Sequence, residues 1–370
     1  MEKDDVITLY PGNWLYNAGV IGLLRSVEEV EKLPLDCCFN FYDDGSLSVK
    51  KIIFNELDVE RRYFSEEEKI SSIVGKSNLY RNYLQPSWIS SFPYFVKNLS
   101  KIKENDVSFY CNLCYRRFAL PNSEVEDLKS RGLKKFLESI KKFDIRHNAI
   151  LGPSLGEFPN SFWNNNQSLY ICPLCAFLII HHHLALTRLR NGSEIFINTP
   201  SFEIMWHLNK YARQIFEKEN VATTKELLGM SLIEMVLKLN IQLGKWTIMN
   251  IEVVSKYKID NKDRIDFFSL PYEIVYLLSD REIASLLNDI GEFNVLNMVL
   301  NSNFKGILEF AERIFRIALK SEREKQENKF INDNVKLERN KGNNLIAFSQ
   351  KLFKLYTLIE EKVIRRFLYE

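Results

Sequence analysis

Phe109-Tyr-Cys-Asn-Leu-Cys-Tyr-Arg-Arg117 and, after a long interval, Tyr170-Ile-Cys-Pro-Leu-Cys-Ala176 decide how this chain is read. Each carries a Cys-x-x-Cys knuckle, Cys111 with Cys114 and Cys172 with Cys175. A short turn of this kind aims two thiolates at one point while its backbone N–H groups stabilise the sulfur charge, so two knuckles supply the four ligands of a tetrahedral zinc. The expectation is one structural zinc on Cys111, Cys114, Cys172 and Cys175. Four thiolates leave no open position for water, so such a site holds shape and does no chemistry. The interval is the unusual feature: 57 residues separate the knuckles, against roughly 15–20 in an ordinary zinc ribbon. The metal would therefore clamp a long insertion, about residues 97–190. Two unrelated pairs of buried thiols, or a redox dithiol, are the alternatives.

Working outward, a chain of 370 residues with 46% hydrophobic content has room for two domains with cores of their own. The six cysteines suit a reducing compartment better than a disulfide framework. The first residues, Met1-Glu-Lys-Asp-Asp5, are acidic where a secretory signal would be basic, and no apolar run reaches the roughly 18–20 residues that span a bilayer. A cytoplasmic protein with no membrane partner is expected. Net charge is only +2, but residues 97–190 hold 14 Lys/Arg against 8 Asp/Glu and the remainder 36 against 40. The basic part of the protein is the zinc segment.

Toward the N-terminus, Tyr10-Pro-Gly-Asn-Trp14 is a turn leading into a helix over Leu15–Arg25, with Leu15, Gly19, Gly22 and Leu23 near one another on one face. Two glycines inside a helix cost roughly 1 kcal/mol each relative to Ala. Either close packing of another backbone or contact with a phosphate backbone would offset that. Residues 37–42 and 46–53 form a hairpin pattern joined through Asp43-Asp44-Gly45. Ser65-Glu-Glu-Glu68 is a capping box for a helix ending near Gly75. Residues 80–95 resemble packed loop. Residues 123–143 read as an amphipathic helix bearing Lys134 and Lys135, and Asn160–Ser168 as a polar loop containing Trp163.

Beyond the second knuckle, a buried helix is expected over Ala176–Leu186, a strand over Glu194–Asn198, a helix from Ser201 to Lys218, another from Thr223 through Leu239, and a last strand over Trp246–Val254. From about Leu270 apolar residues recur at three and four, as in Ile283, Leu286, Leu287 and Ile290, or Leu345, Phe348, Leu352 and Leu355. These are amphipathic helices of a bundle, interrupted by a polar run over Ser321–Asn344. The fold class is α+β: a zinc-braced mixed domain over residues 1–255, then a C-terminal helical bundle over 256–370.

No phosphate-binding glycine loop, nucleophile elbow or paired acidic signature is present. His181-His182-His183 reads as surface or helix-capping histidine before it reads as a metal site. His147, with Asp144 loosely placed before it, leaves an HNH-like metal-dependent nuclease as one alternative function. A zinc-braced scaffold contacting only proteins is another.

Taken together, Gly12-Asn-Trp-Leu-Tyr-Asn-Ala-Gly-Val-Ile-Gly-Leu-Leu-Arg25 and the widely separated Cys-x-x-Cys pairs resemble the large subunit of type I CRISPR Cascade complexes, closest to the type I-B branch with a CXXC–CXXC region. The resemblance covers the first two hundred residues through motifs and the rest only through helical character. It implies a non-catalytic subunit of an antiviral surveillance complex. Such a subunit sits over the guide RNA 5′ handle with the other Cascade subunits, reads target DNA beside the protospacer, and recruits a helicase–nuclease. Sequence is then read by base pairing to the guide, and protein reads shape, backbone and a few base edges. The candidate nucleic-acid contacts on this reading are Asn13, Trp14, Asn17, Arg116, Arg117, Lys134, Lys135, Trp163, Asn164, Asn165, Asn166, Arg188 and Arg190. The C-terminal helices are the class of object that some branches also make as a separate small subunit.

Overall fold

The computed structural model describes residues 5–29, 33–57, 91–104, 110–132, 134, 137–138, 142–144, 168–189, 192–218, 224–239, 251–259 and 262–369. They form an α+β chain that divides into two compact units. The first comprises Met1–Asn209 with Val253–Phe267, and the second Lys210–Glu252 with Phe268–Glu370. Among the described residues no helix is long and apolar enough to cross a membrane.

The first unit opens with strand β1 (Val6–Leu9), helix α1 (Trp14–Glu29), and strands β2 (Phe39–Phe41) and β3 (Leu47–Lys50), an antiparallel sheet in the order β1-β3-β2. Asp44 shapes the β2–β3 turn by accepting from Ser46 N at 2.9 Å, and Gly45 takes the left-handed φ of 85° that the turn requires. The hairpin arm expected to reach residue 53 stops at Lys50. Ile53–Glu56 is instead a helical turn, α2, which buries Ile53 and Phe54.

The end of the stretch expected as packed loop, residues 91–95, belongs instead to helix α3 (Ser91–Asn98), with Phe92, Phe95 and Val96 buried on one side. The remainder of that expected loop and the Ser65 capping box lie outside the described residues. Strands β4 (Lys103–Glu104) and β5 (Phe118–Ala119) flank the first knuckle as a two-stranded ladder. The long helix expected over 123–143 is a correction. Helix α4 runs only Asn122–Ser130 and stops at Gly132, in the left-handed region at φ 81°, and Lys142–Asp144 is a strand, β6, paired with β7 (Ser168–Tyr170). Leu128 is the one buried side chain of α4, and beyond the Gly132 break the described residues 134, 137 and 138 are again helical, with Leu137 buried, so the expected helix is met as two pieces.

After the second knuckle come α5 (Pro173–Ile179), α6 (His182–Ala185), and strands β8 (Thr187–Arg188) and β9 (Glu194–Asn198). Helix α7 (Phe202–Lys218) follows as expected. A hairpin of β10 (Glu252–Ile259) and β11 (Lys262–Ser269) completes a sheet in the order β11-β10-β9-β8. The last expected strand is met where it overlaps β10, over residues 252–254, residues 246–250 lie outside the described residues, and β11 was not expected.

The described residues of the second unit are mainly helical. It contains α8 (Thr224–Leu239), α9 (Tyr272–Leu278), α10 (Arg281–Ile290), α11 (Phe293–Leu300), α12 (Phe304–Ala318), α13 (Glu322–Gln326), α14 (Lys329–Asn334) and α15 (Leu345–Tyr369). Buried Ile283, Leu286, Ile290, Ile307, Ile314, Leu352 and Leu355 confirm the three-and-four spacing as core. Asp280 caps α10 by accepting from Glu282 N and Ile283 N at 3.0 and 3.1 Å, and it pairs with Lys362 of α15 at 2.6 Å. The polar run 321–344 is α13, α14 and two 3-10 turns. It is tied down by the buried Glu292 carboxylate, which accepts from Lys336 N, Leu337 N and Asn340 Nδ2 at 3.0, 2.9 and 2.8 Å.

Candidate metal centre

The four cysteines converge. Their sulfurs all lie within 4.8 Å of one another, and all four residues are buried. Cys114 Sγ stands 3.8 Å from Cys172 Sγ, the edge of a tetrahedron whose metal–sulfur distance is about 2.3 Å.

Two different local structures deliver them. The first knuckle is a tight turn: Cys111 N donates to Arg116 O, and Tyr115 N to Cys111 O, each at 2.9 Å. Closing it puts Tyr115 at φ 56°, a left-handed conformation that a bulky side chain rarely takes. The second knuckle opens α5. Cys172 is its N-cap, Pro173 occupies the first turn, where a missing N–H costs nothing, and Cys172 Sγ accepts from Cys175 N at 3.4 Å. A helix N-terminus also favours negative sulfur. The knuckles are joined directly, since Asn112 N donates to Tyr170 O at 2.9 Å and Cys172 N to Cys111 Sγ at 3.3 Å.

Hydrogen bonds from Cys114, Cys172 and Cys175 hold Cys111 far toward thiolate, while burial pushes the Cys172 and Cys175 thiols well above their ordinary value. Ionising all four in this buried site would need a cation to balance them. Burial, and then the cysteine sulfurs, likewise raise the neighbouring Tyr16 and Tyr170 phenols.

Helix α1 rests on this centre. A Cβ on Gly12 would stand 2.8 Å from Leu113 O inside the first knuckle. One on Gly19 would stand 2.6 Å from Leu178 O of α5, and one on Gly22 would collide with the His181 carbonyl. Arg25 donates to Leu184 O beyond it. The glycines of α1 therefore serve close backbone packing, and the phosphate-contact alternative does not apply to that face.

Asn17, a candidate nucleic-acid contact, is corrected by the same packing. It is 1% exposed, its oxygen accepts from Gly12 N at 2.9 Å, and its amide donates to Gly12 O and Asn198 Oδ1 at 3.1 and 2.8 Å. Asn13 caps α1 by accepting from Leu15 N at 2.9 Å, and Trp14 is half-buried against the core. The histidines are corrected too: His181 and His182 are buried rather than on the surface. Their Nδ1 atoms lie 3.1 and 2.7 Å from Phe177 O and Ile179 O, and burial lowers the His182 pKa to about 4.

Of the basic candidates, Arg116 forms an ion pair with Glu104 and lies 5.3 Å from the Tyr10 ring centroid, and Arg117 lies 4.0 Å from that of Tyr110. Lys134 and Arg188 are exposed. Lys135, Trp163, Asn164, Asn165, Asn166, Arg190 and His147 lie outside the described residues. What the sequence reading missed are the exposed tyrosines at the first knuckle, Tyr110 and Tyr115; their placement beside Cys111 and between Cys114 and Arg116 was the available signal.

No family model matches the chain, and no curated protein or solved structure matches it.

Proposed function

We propose that Cys111, Cys114, Cys172 and Cys175 hold one structural zinc. On the same reading the chain is a non-catalytic nucleic-acid-binding large subunit of an RNA-guided, Cascade-like antiviral complex. The observation that carries this reading is the seating of α1 on both knuckles. The two motifs behind the resemblance, the glycine-bearing stretch from Gly12 to Arg25 and the separated cysteine pairs, are one physical object, with Gly12 against Leu113 and Gly19 against Leu178.

The donor set fits zinc. Four sulfurs at tetrahedral spacing suit a borderline-soft ion with no geometric demand of its own, and they leave no position for a substrate. The metal supplies cross-linking. This chain's residues supply the rest: backbone N–H groups of Leu113, Cys172 and Cys175 point at sulfur, and the basic segment around the clamp provides charge for phosphate. Partners on this reading are guide RNA, target DNA, the other Cascade subunits and a helicase–nuclease recruited on target binding.

The test is purification of the chain co-expressed with the backbone-type Cascade subunits and a CRISPR RNA, followed by elemental analysis. One zinc per chain, co-purifying RNA with salt-dependent affinity, and no cleavage with Mg²⁺ or Mn²⁺ are expected. A chain without zinc, or cleavage lost on His147→Ala, overturns the reading.

A further inference from the structure

The first knuckle carries more aromatic surface than a metal clamp requires. Tyr110 and Tyr115 bracket Cys111 and Cys114 and are 58% and 63% exposed, and Tyr10, just before α1, is 45% exposed. Two of the three already have a guanidinium at the ring: Arg117 lies 4.0 Å from the Tyr110 centroid, and Arg116 lies 5.3 Å from those of both Tyr10 and buried Phe118. Glu104 fixes Arg116 through an ion pair.

Tyr115 is the telling residue. It occupies a left-handed position, φ 56°, where glycine sits without strain, and its ring is turned to solvent instead of contributing to the core. Stability alone would not place a tyrosine there. Exposed rings backed by guanidinium groups, in the most basic part of the chain, are the chemistry that binds unpaired nucleotides. Each base stacks on a ring, the cation strengthens the stack, and the surrounding charge follows the phosphates.

We propose that Tyr110, Tyr115 and Tyr10, backed by Arg117 and Arg116, form a stacking platform for an unpaired stretch of RNA at the first knuckle. This rests on the preceding reading, in which a guide RNA is the resident ligand, and it names where its single-stranded part is held. A paired strand hides its base faces, so a duplex gains only the charge term here.

The experiment uses the full zinc-loaded chain and a fluorescein-labelled oligoadenylate RNA, with anisotropy titrations over a range of salt. Tyr110→Ala and Tyr115→Ala are each expected to weaken binding about 10-fold with an unchanged salt slope, while Tyr110→Phe keeps wild-type affinity. Arg117→Ala is expected to lower the slope by about one phosphate contact. Tyr115→Gly is the decisive variant: it relieves the backbone, so melting temperature and zinc content hold while affinity falls. Tyr variants that bind like wild type overturn the platform and leave the general reading standing. The platform is likewise overturned if those variants lose only a co-purifying protein subunit, which would make this a protein-docking surface. Tighter binding of the matching single-stranded DNA overturns the assignment to RNA. A wild-type chain with no affinity for the RNA overturns both readings.

Discussion

Gly19→Ala isolates the seating of α1. The added Cβ would stand 2.6 Å from Leu178 O, 2.8 Å from Leu178 C and 3.1 Å from Ile179 Cα, against an ordinary contact of 3.4–4 Å. All three neighbours are backbone, so no side chain can rotate away, and α1 must separate from α5 by about 0.8 Å, the difference between 3.4 and 2.6 Å. A gap of that order forfeits roughly a quarter to a half of the dispersion energy of each facing contact. Overpacking costs about 1–3 kcal/mol, and a clash with fixed backbone belongs at the upper end. Replacing Gly by Ala inside a helix returns about 1 kcal/mol. The net is a loss of about 2 kcal/mol, which lowers the melting temperature of a unit this size by roughly 4–8 °C. The assay is a thermal melt of the zinc-loaded chain, with Gly229→Ala alongside. There the nearest atoms are Leu300 Cδ2 at 3.1 Å and Cδ1 at 3.4 Å, ends of a flexible side chain, and helix propensity should leave stability unchanged or slightly raised. A Gly19→Ala protein that keeps its zinc and melts at or above wild type refutes the close-packing argument.

Cys114→Ser should cost the chain its zinc and abolish the cooperative melt of the first unit, measured by metal analysis and near-ultraviolet circular dichroism, because a hydroxyl does not replace a thiolate ligand. Asn17→Ala removes the partner of Gly12 N and Gly12 O and one bond to Asn198 Oδ1, and a loss of about 2–3 kcal/mol is expected in urea titration; a change below 0.5 kcal/mol would deny that network its role. His182 is held neutral, with its pKa depressed to about 4 by burial. An unfolded chain takes up that proton near pH 6.5, so stability is complete above that pH and falls by up to about 3 kcal/mol as pH drops toward 4. Burial lowers His183 in the same direction, and a flat urea midpoint across pH 6.5 to 4.5 would contradict both.

The knuckles, the glycine helix and the C-terminal helices were legible because each depends on local spacing. Cys-x-x-Cys specifies its own turn, and Ile283, Leu286, Leu287 and Ile290 mark one helical face without reference to anything else. What a glycine faces is not local. Gly19 and Gly22 announced a close neighbour, but whether it was phosphate or backbone depended on α5 and α6, far along the chain. The same distance hid the burial of the histidines. A run of three imidazoles looks polar, yet His181 and His182 turn Nδ1 back onto carbonyls of their own turn, His181 meets the Phe177 ring at 4.9 Å, and His182 buries its Nε2 without a hydrogen-bond partner among the described residues. Asn17 was misread for a related reason, since its hydrogen-bond partner Asn198 is supplied by β9. Strand β11 escaped because Lys262, Asp263, Arg264 and Asp266 give it the look of a solvated loop, although Ile265 packs against the core.

The interlock of Gly19 and Gly22 with α5 and α6 also constrains the order in which the protein can be built. Arg25 meets Leu184 across a sequence separation of 159 residues. During synthesis α1 leaves the ribosome long before the backbone it must sit on exists. At about 5–20 residues per second, its apolar side waits on the order of ten seconds or more. On the zinc reading proposed above, metal capture by Cys172 and Cys175 together with Cys111 and Cys114 would close the long loop between the knuckles and present α5 to the waiting α1. With the proposed zinc in that role, its supply during translation would govern yield as well as the stability of the finished chain. In zinc-starved cells, newly made protein would accumulate with α1 undocked, as a substrate for chaperones and proteases.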